Sequence, residues 1–172
     1  MLTLVLGGSG SGKSAFAEGL VTASGNPRRL YLATMEPFGA EAEARIARHR
    51  AMRSAKGFET VERFRDLDAL PPYQGYVVLL EDLGNLCANE LYGPDPEGGE
   101  ARILSGIRRL AADNRLIVVS NAVFSDGVAY GEETRRYLAQ MARLHAALAQ
   151  EAQEVVEVVC GLPIYHKGGG PL

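Results

Sequence analysis

Little in this chain could build a disulfide framework or a zinc knot. It has two cysteines, Cys87 and Cys160, neither in a C-x-x-C pair nor beside a histidine, so both read as small buried apolar residues. Long hydrophobic runs are missing as well. YVVLL and LIVVS fall far short of the roughly 20 residues that cross a bilayer. The opening MLTLVL lacks the charged stretch that precedes the apolar part of a secretory signal, and a soluble, cytoplasmic protein is the expectation. An excess of one charge is also absent. Lys and Arg number 18 against 21 Asp and Glu, and the net charge of −3 gives no footing to a nucleic-acid partner. No repeat or low-complexity linker divides the chain, so residues 1–172 are read as a single domain, long enough to bury roughly two-thirds of its unfolded surface.

What is present alternates. LTLVL (2–6), RLYLA (29–33), YVVLLE (76–81), LIVVSN (116–121) and EVVEVVC (154–160) read as strands. The first four are apolar almost throughout, as strands of a parallel sheet covered on both faces should be. Helices are expected over 13–24, 40–54, 97–113 and 132–150. The last carries Tyr137, Leu138, Met141, Leu144, Ala147 and Leu148 at helical spacing. The alternation predicts an α/β fold with a mostly parallel sheet flanked by helices. The closing EVVEVVCGLPIYHK reads instead as an antiparallel hairpin at the sheet edge, where Pro163 is tolerated. YGPDPEGGE (92–100) is the one long polar loop.

Between the first strand and the first helix lies GGSGSGKS, residues 7–14, the pattern G-x-x-x-x-G-K-S of a phosphate-binding loop. Its glycines let backbone N–H groups approach phosphate oxygens, which a Cβ would block. The helix that begins at Lys13 adds its N-terminal dipole and unpaired donors. Lys13 is expected to reach the terminal phosphates and the Ser14 hydroxyl to bind Mg²⁺. Such a loop also needs a carboxylate for the metal. Glu81 and Asp82 end the apolar strand YVVLLED, where that acid emerges beside the phosphates.

A second feature is AEARIARHRAMR, residues 42–53. Arg45, His49 and Arg53 share one helix face at four-residue spacing, with Arg48 and Arg50 beside the histidine. A salt-bridged surface helix would explain them, with Glu41 one turn before Arg45. Next to a nucleotide site, the same face would attract a triphosphate and hold His49 neutral, as a nucleophile or general base requires. His145 and His166 have no partners at metal or triad spacing and read as surface or interface residues. Asp126 reads as a turn residue ahead of Gly127.

Taken in order, VLGGSGSGKSAFAE, LYLAT, RIARHR, ETVE, LLEDLGNLCANEL with Asn89, IVVSN and VVCGLPIYHK resemble the bifunctional adenosylcobinamide kinase / adenosylcobinamide-phosphate guanylyltransferases of cobalamin assembly. The resemblance covers nearly the whole chain. It implies a P-loop NTPase fold with a RecA-like sheet and a homotrimer with sites near subunit interfaces. It further implies that His49 attacks the α-phosphate of GTP and carries GMP to adenosylcobinamide phosphate, giving adenosylcobinamide-GDP. The same enzyme would first phosphorylate the corrinoid adenosylcobinamide, with GTP or ATP as donor. By match of motif, Gly7, Gly8, Ser9, Gly10, Ser11, Gly12, Lys13 and Ser14 would hold phosphates. Ala33, Thr34 and Met35 would lie near the nucleotide, and Arg50, Ala51, Met52 and Arg53 would follow the nucleophile. Glu62 and Glu81 match nucleotide-contacting acids of the family, either of which could accept the N1–H and N2–H₂ of guanine. The chain departs from the family pattern at Ala122, where a glutamate usually stands, at Ala40 and Ala42 before the histidine helix, and at His145, where an asparagine is usual.

The expectation is therefore a Mg²⁺-dependent nucleotidyltransferase in which His49 is the nucleophile, Lys13 stabilises phosphate charge, and Ser14 with Glu81 holds the metal. Its rivals are a P-loop small-molecule kinase without a covalent intermediate and a non-catalytic nucleotide-binding switch. Neither accounts for a histidine within the cationic face.

Overall fold

The computed structural model describes residues 1–37, 54–122 and 130–169. Within them a seven-stranded sheet is built from β1 (Leu2–Gly7), β2 (Arg29–Ala33), β3 (Phe58–Glu62), β4 (Val77–Glu81), β5 (Arg115–Asn121), β6 (Glu154–Val159) and β7 (Leu162–Lys167). Helices α1 (Lys13–Ala23), α2 (Leu83–Leu91), α3 (Gly99–Asp113) and α4 (Glu132–Glu151) flank it. The strand order is β3-β2-β4-β5-β1-β6-β7, and every neighbouring pair is parallel except β6 with β7. The five strands expected from apolar runs, and the closing hairpin, are all there. The helix expected over 40–54 lies outside the described residues but for Ser54.

The near-continuous apolar character of the strands has its reason in the packing. Alternate side chains of a strand face opposite sides, so a strand covered on both faces can have no polar face. Leu80, Val78, Leu116, Val118, Leu30 and Leu32 face α2, α3 and α4, where they meet Leu86, Ile103, Ile107, Met141, Leu144 and Leu148. Leu79, Val77, Ile117, Val119, Val5 and Tyr31 face the other way, onto Ala17 and Val21 of α1. Leu79 and Leu80 are neighbours in sequence and both 0% exposed. Each such burial contributes on the order of 1.5–3 kcal/mol.

Helix α2 was not expected. Its sequence LGNLCANEL is short and holds a glycine and two asparagines, all poor helix formers. It forms because Asp82 caps it, the carboxylate Oδ1 accepting the Asn85 N–H at 2.7 Å, and because Leu83, Leu86, Cys87 and Leu91 are buried. Glu90, 1% exposed, ties its far end down by accepting the Asp66 N–H at 2.7 Å and the Arg102 Nη2–H at 2.7 Å. The polar loop expected over 92–100 ends at Gly98, the N-cap residue, and α3 begins at Gly99. Cys87 is buried as expected, and burial pushes its thiol up to about 12. Cys160 is not buried. It is exposed in the β6–β7 turn, because a two-residue hairpin loop has no interior.

Two glycines make the packing testable. A Cβ on Gly106 of α3 would lie 2.6 Å from the Leu67 carbonyl carbon, whereas one on Gly19 of α1 would meet nothing described within 4 Å. Gly106→Ala should lower stability by about 1–3 kcal/mol through overpacking, despite the better helix former. Gly19→Ala should raise it by up to about 1 kcal/mol. Urea unfolding of the two variants decides, and equal effects would refute the close approach of α3 to residues 67–68.

Candidate functional site

The loop after β1 is shaped by backbone that only glycine adopts readily. Gly10 and Gly12 have φ of 70° and 92°. A Cβ at Gly7 would stand 2.8 Å from the Val158 carbonyl oxygen. The loop closes on itself through the Ser11 N–H, which donates to the Gly8 carbonyl at 3.2 Å. Lys13, first residue of α1, folds back so that its Nζ donates to the same carbonyl at 3.1 Å. The Ser11 Oγ is buried without a hydrogen-bond partner among the described residues. A cationic amine over a loop of backbone donors at a helix N-terminus is an anion-binding arrangement.

Opposite the loop stands Glu81, last residue of β4. One carboxylate oxygen accepts the Ser14 hydroxyl, and the other accepts the Tyr31 hydroxyl at 2.8 Å. An alcohol oxygen beside a fixed carboxylate is a hard-oxygen donor set of the kind that holds Mg²⁺. Asp82, its neighbour, has another task. It caps α2, and burial raises its carboxyl above the usual range while the Asn85 N–H and nearby Lys13 pull the other way. The Glu81–Asp82 peptide is cis.

Thr34, 0% exposed, clamps the ends of β2 and β4. Its hydroxyl donates to the Asp82 carbonyl and accepts the Asp82 N–H, both at 2.8 Å, and its own N–H donates to the Glu81 carbonyl at 3.2 Å. The Asn89 side-chain amide, reaching from α2, donates to the Thr34 carbonyl at 2.8 Å and the Phe64 carbonyl at 3.1 Å. Parallel register sets Glu62 opposite Ala33 and Ala33 opposite Glu81, so the three lie in one row. Glu62 is exposed at the end of β3, and Met35 is 42% exposed just past β2. The residues 7–14, 33–35, 62 and 81 thus gather at one edge of the sheet, where the parallel strands end. His49, Arg50, Ala51, Met52 and Arg53 lie outside the described residues, as do Arg45, Arg48, Asp126 and the alanines at 40 and 42. Ala122 follows β5 and donates its N–H to the Gly7 carbonyl at 3.0 Å.

The sequence profile of the cobinamide kinase / cobinamide phosphate guanyltransferase family matches residues 3–165. The chain belongs to this family. It is 36% identical to the bifunctional adenosylcobalamin biosynthesis protein CobP of Pseudomonas aeruginosa, with 98% of each chain covered. It is 32% identical to the bifunctional adenosylcobalamin biosynthesis protein CobU of Escherichia coli, covering 97% of this chain and all of that one. It is accordingly an enzyme of the kinase and nucleotidyltransferase kind. Among solved structures, the flagellar accessory protein FlaH of Methanocaldococcus jannaschii superposes with a TM-score of 0.54 at 10% identity, over 98% of this chain and 78% of that one. A solved ATPase domain does so with a TM-score of 0.51 at 12% identity, over 91% of this chain and 68% of that one. These likenesses concern the fold alone, and with the sheet order they make it that of the P-loop NTPases.

Sequence reasoning missed Tyr31 in this member of the family, because a tyrosine within RLYLA reads as core. The signal was there, since a buried phenol needs a partner for its hydroxyl. His145 differs from its surface reading. It is half-buried on α4, and its Nε2 lies 2.7 Å from the Oγ of Ser120 on β5. Among the described residues no cluster of His, Cys, Asp and Glu forms a metal site of three or more such ligands, and no helix is long and apolar enough to cross a membrane.

Thr34→Val keeps the shape of the clamp and leaves the part-buried Asp82 N–H without its acceptor, a loss of about 1–3 kcal/mol. Chemical denaturation would show it, and an unchanged midpoint would mean that the strand ends hold without Thr34. Burial also lowers the His145 imidazole below its ordinary range. The unfolded chain therefore takes up the proton first, and stability conferred by neutral His145 is lost on acidification through that range. His145→Leu should gain on the wild type in thermal midpoint as the buffer falls from about pH 7 to about pH 5. A constant difference across that range would contradict the shift.

Proposed function

We propose that this chain transfers GMP from GTP to adenosylcobinamide phosphate through a guanylyl-histidine at His49, and that it also phosphorylates adenosylcobinamide. The observation that carries the proposal is the meeting of Lys13, Ser14 and Glu81 at the phosphate loop in a family member that retains RIARHR around His49. CobP and CobU are both named as bifunctional adenosylcobalamin biosynthesis proteins, which supports two activities and a corrinoid substrate here.

The loop residues Gly7 to Gly12 receive the phosphates through backbone N–H groups, and Lys13 neutralises their charge. Lys13 leaves the Gly8 carbonyl to do so. Ser14 and Glu81 would hold Mg²⁺, which when bound offsets phosphate charge during transfer. Arg45, Arg48, Arg50 and Arg53 keep the His49 imidazole deprotonated by charge repulsion and stabilise the negative charge that develops around it. The His49 nitrogen attacks the α-phosphorus; a P–N bond forms and the bond to pyrophosphate breaks. A phosphate oxygen of the acceptor then attacks the same phosphorus, the P–N bond breaks, and adenosylcobinamide-GDP leaves with free imidazole behind. By the family resemblance, either Glu62 or Glu81, which share one row at the strand ends, accepts the guanine N1–H and N2–H₂. We extend the proposal to GTP over ATP in guanylyl transfer, and to a homotrimer, on the family resemblance.

The test is retention of label. Protein incubated with Mg²⁺ and GTP labelled at the α-phosphate, then denatured, should carry acid-labile, alkali-stable label, and His49→Ala should carry none. Absence of label on a wild type that binds GTP would overturn the covalent route in favour of a simple kinase or a switch.

A further inference from the structure

The phosphate loop leans on the C-terminal hairpin. The turn between β6 and β7 has two residues, Cys160 and Gly161, flanked by the paired Val159 and Leu162. Both have positive φ, 49° and 81°, the geometry of the hairpin turn that follows the natural twist of the strands. The Gly161 N–H donates to the Ser11 carbonyl at 2.8 Å across 150 residues of chain. A Cβ on Gly12 would lie 3.3 Å from the Gly161 Cα, and one on Gly7 would crowd the Val158 carbonyl, so loop and hairpin touch backbone to backbone.

The Ser11 carbonyl and the Gly12 N–H belong to one trans peptide, so they point in opposite directions. Drawing the Ser11 oxygen onto the hairpin aims the Gly12 N–H away from it. It also keeps a carbonyl lone pair from facing a phosphate, which would repel it. We propose that Gly161 is a positioning residue for the phosphate loop, its N–H orienting the Ser11–Gly12 peptide so that the loop presents donors to the nucleotide. The proposal rests on nucleotide binding at this loop. It adds to that reading a part of the chain, the last hairpin, which lies outside the phosphate-binding motif itself.

Equilibrium binding of the fluorescent nucleotide mant-GDP with Mg²⁺ tests it in the full-length protein. Gly161→Ala moves the turn off its positive φ, although a Cβ there meets nothing described within 4 Å. Gly25→Ala is the matched control, with φ of 68°, equally open surroundings, and a place at the far end of α1. Loss of one well-aligned hydrogen bond corresponds to an affinity about three- to tenfold weaker for Gly161→Ala, with Gly25→Ala binding as the wild type does. Equal affinity of Gly161→Ala and wild type would overturn the inference while leaving nucleotide binding intact. Equal weakening in both variants would assign the effect to general strain, which also overturns it. A wild type that binds no mant-GDP would remove the nucleotide reading and the inference with it.

Amide hydrogen exchange on the unsubstituted protein supplies a reading that needs no variant. If the Gly161–Ser11 bond opens only when the nucleotide has left, mant-GDP at about 100 times its Kd should slow exchange at the Gly161 amide about a hundredfold. An exchange rate there that ignores the nucleotide would count against the coupling.

Discussion

Parallel strands that end in step position nearly everything at the candidate site. The ladder sets Gly7 opposite Asn121 and Ala33 opposite both Glu62 and Glu81. One residue of slip would turn each buried leucine or valine to the other face of the sheet. Because both faces are covered by helices, such a slip would disturb two layers of core at once. The register that the core requires is therefore also the register that brings the acid, the loop and the threonine clamp together. Function here borrows its precision from hydrophobic packing.

Two adjacent carboxylates illustrate how the edge of the sheet divides its work. Glu81 and Asp82 are adjacent in sequence, and two unshielded charges side by side would repel each other. Glu81 stays accessible to hydroxyls, accepting from Ser14 and Tyr31. Asp82 turns to the neighbouring helix, where an N-terminus welcomes an acceptor and where burial disfavours its charge. Thr34 and Asn89 then lock the backbone on which both acids sit. A side chain without direct contact with a phosphate can thus decide where a carboxylate points.

The closing hairpin extends this economy to the other side of the loop. β7 is an outer strand with Leu162 and Ile164 exposed, and Pro163 within it lacks the N–H that another strand would need. Its turn reaches the phosphate loop at Ser11 and Gly12. The loop is consequently bounded by Glu81 and Lys13 on one side and by backbone from the far end of the chain on the other. The segment's own sequence is nearly all glycine and serine, so its conformation depends on these contacts from both sides.

Local order was written in the chain. The apolar runs dictated four strands because a strand covered on both faces cannot be polar, and the G-x-x-x-x-G-K-S pattern announced its loop because glycine most readily accepts the required backbone. The family was readable from the order of short motifs, and matching relatives bear it out. Residues whose task depends on a distant partner were not readable. Tyr31 looked like core until Glu81 stood beside it, and His145 looked like surface until Ser120 did. Helix α2 has too little intrinsic propensity to declare itself and forms because Asp82 caps it and the sheet buries it. Gly161 fell within the expected closing hairpin, and only the fold carried it to Ser11. Sequence determined what depends on neighbours along the chain, whose distances are set by covalent geometry. Tertiary structure decided what depends on neighbours across space, since a hydrogen bond extends only about 3 Å and its partner exists only once the sheet has closed.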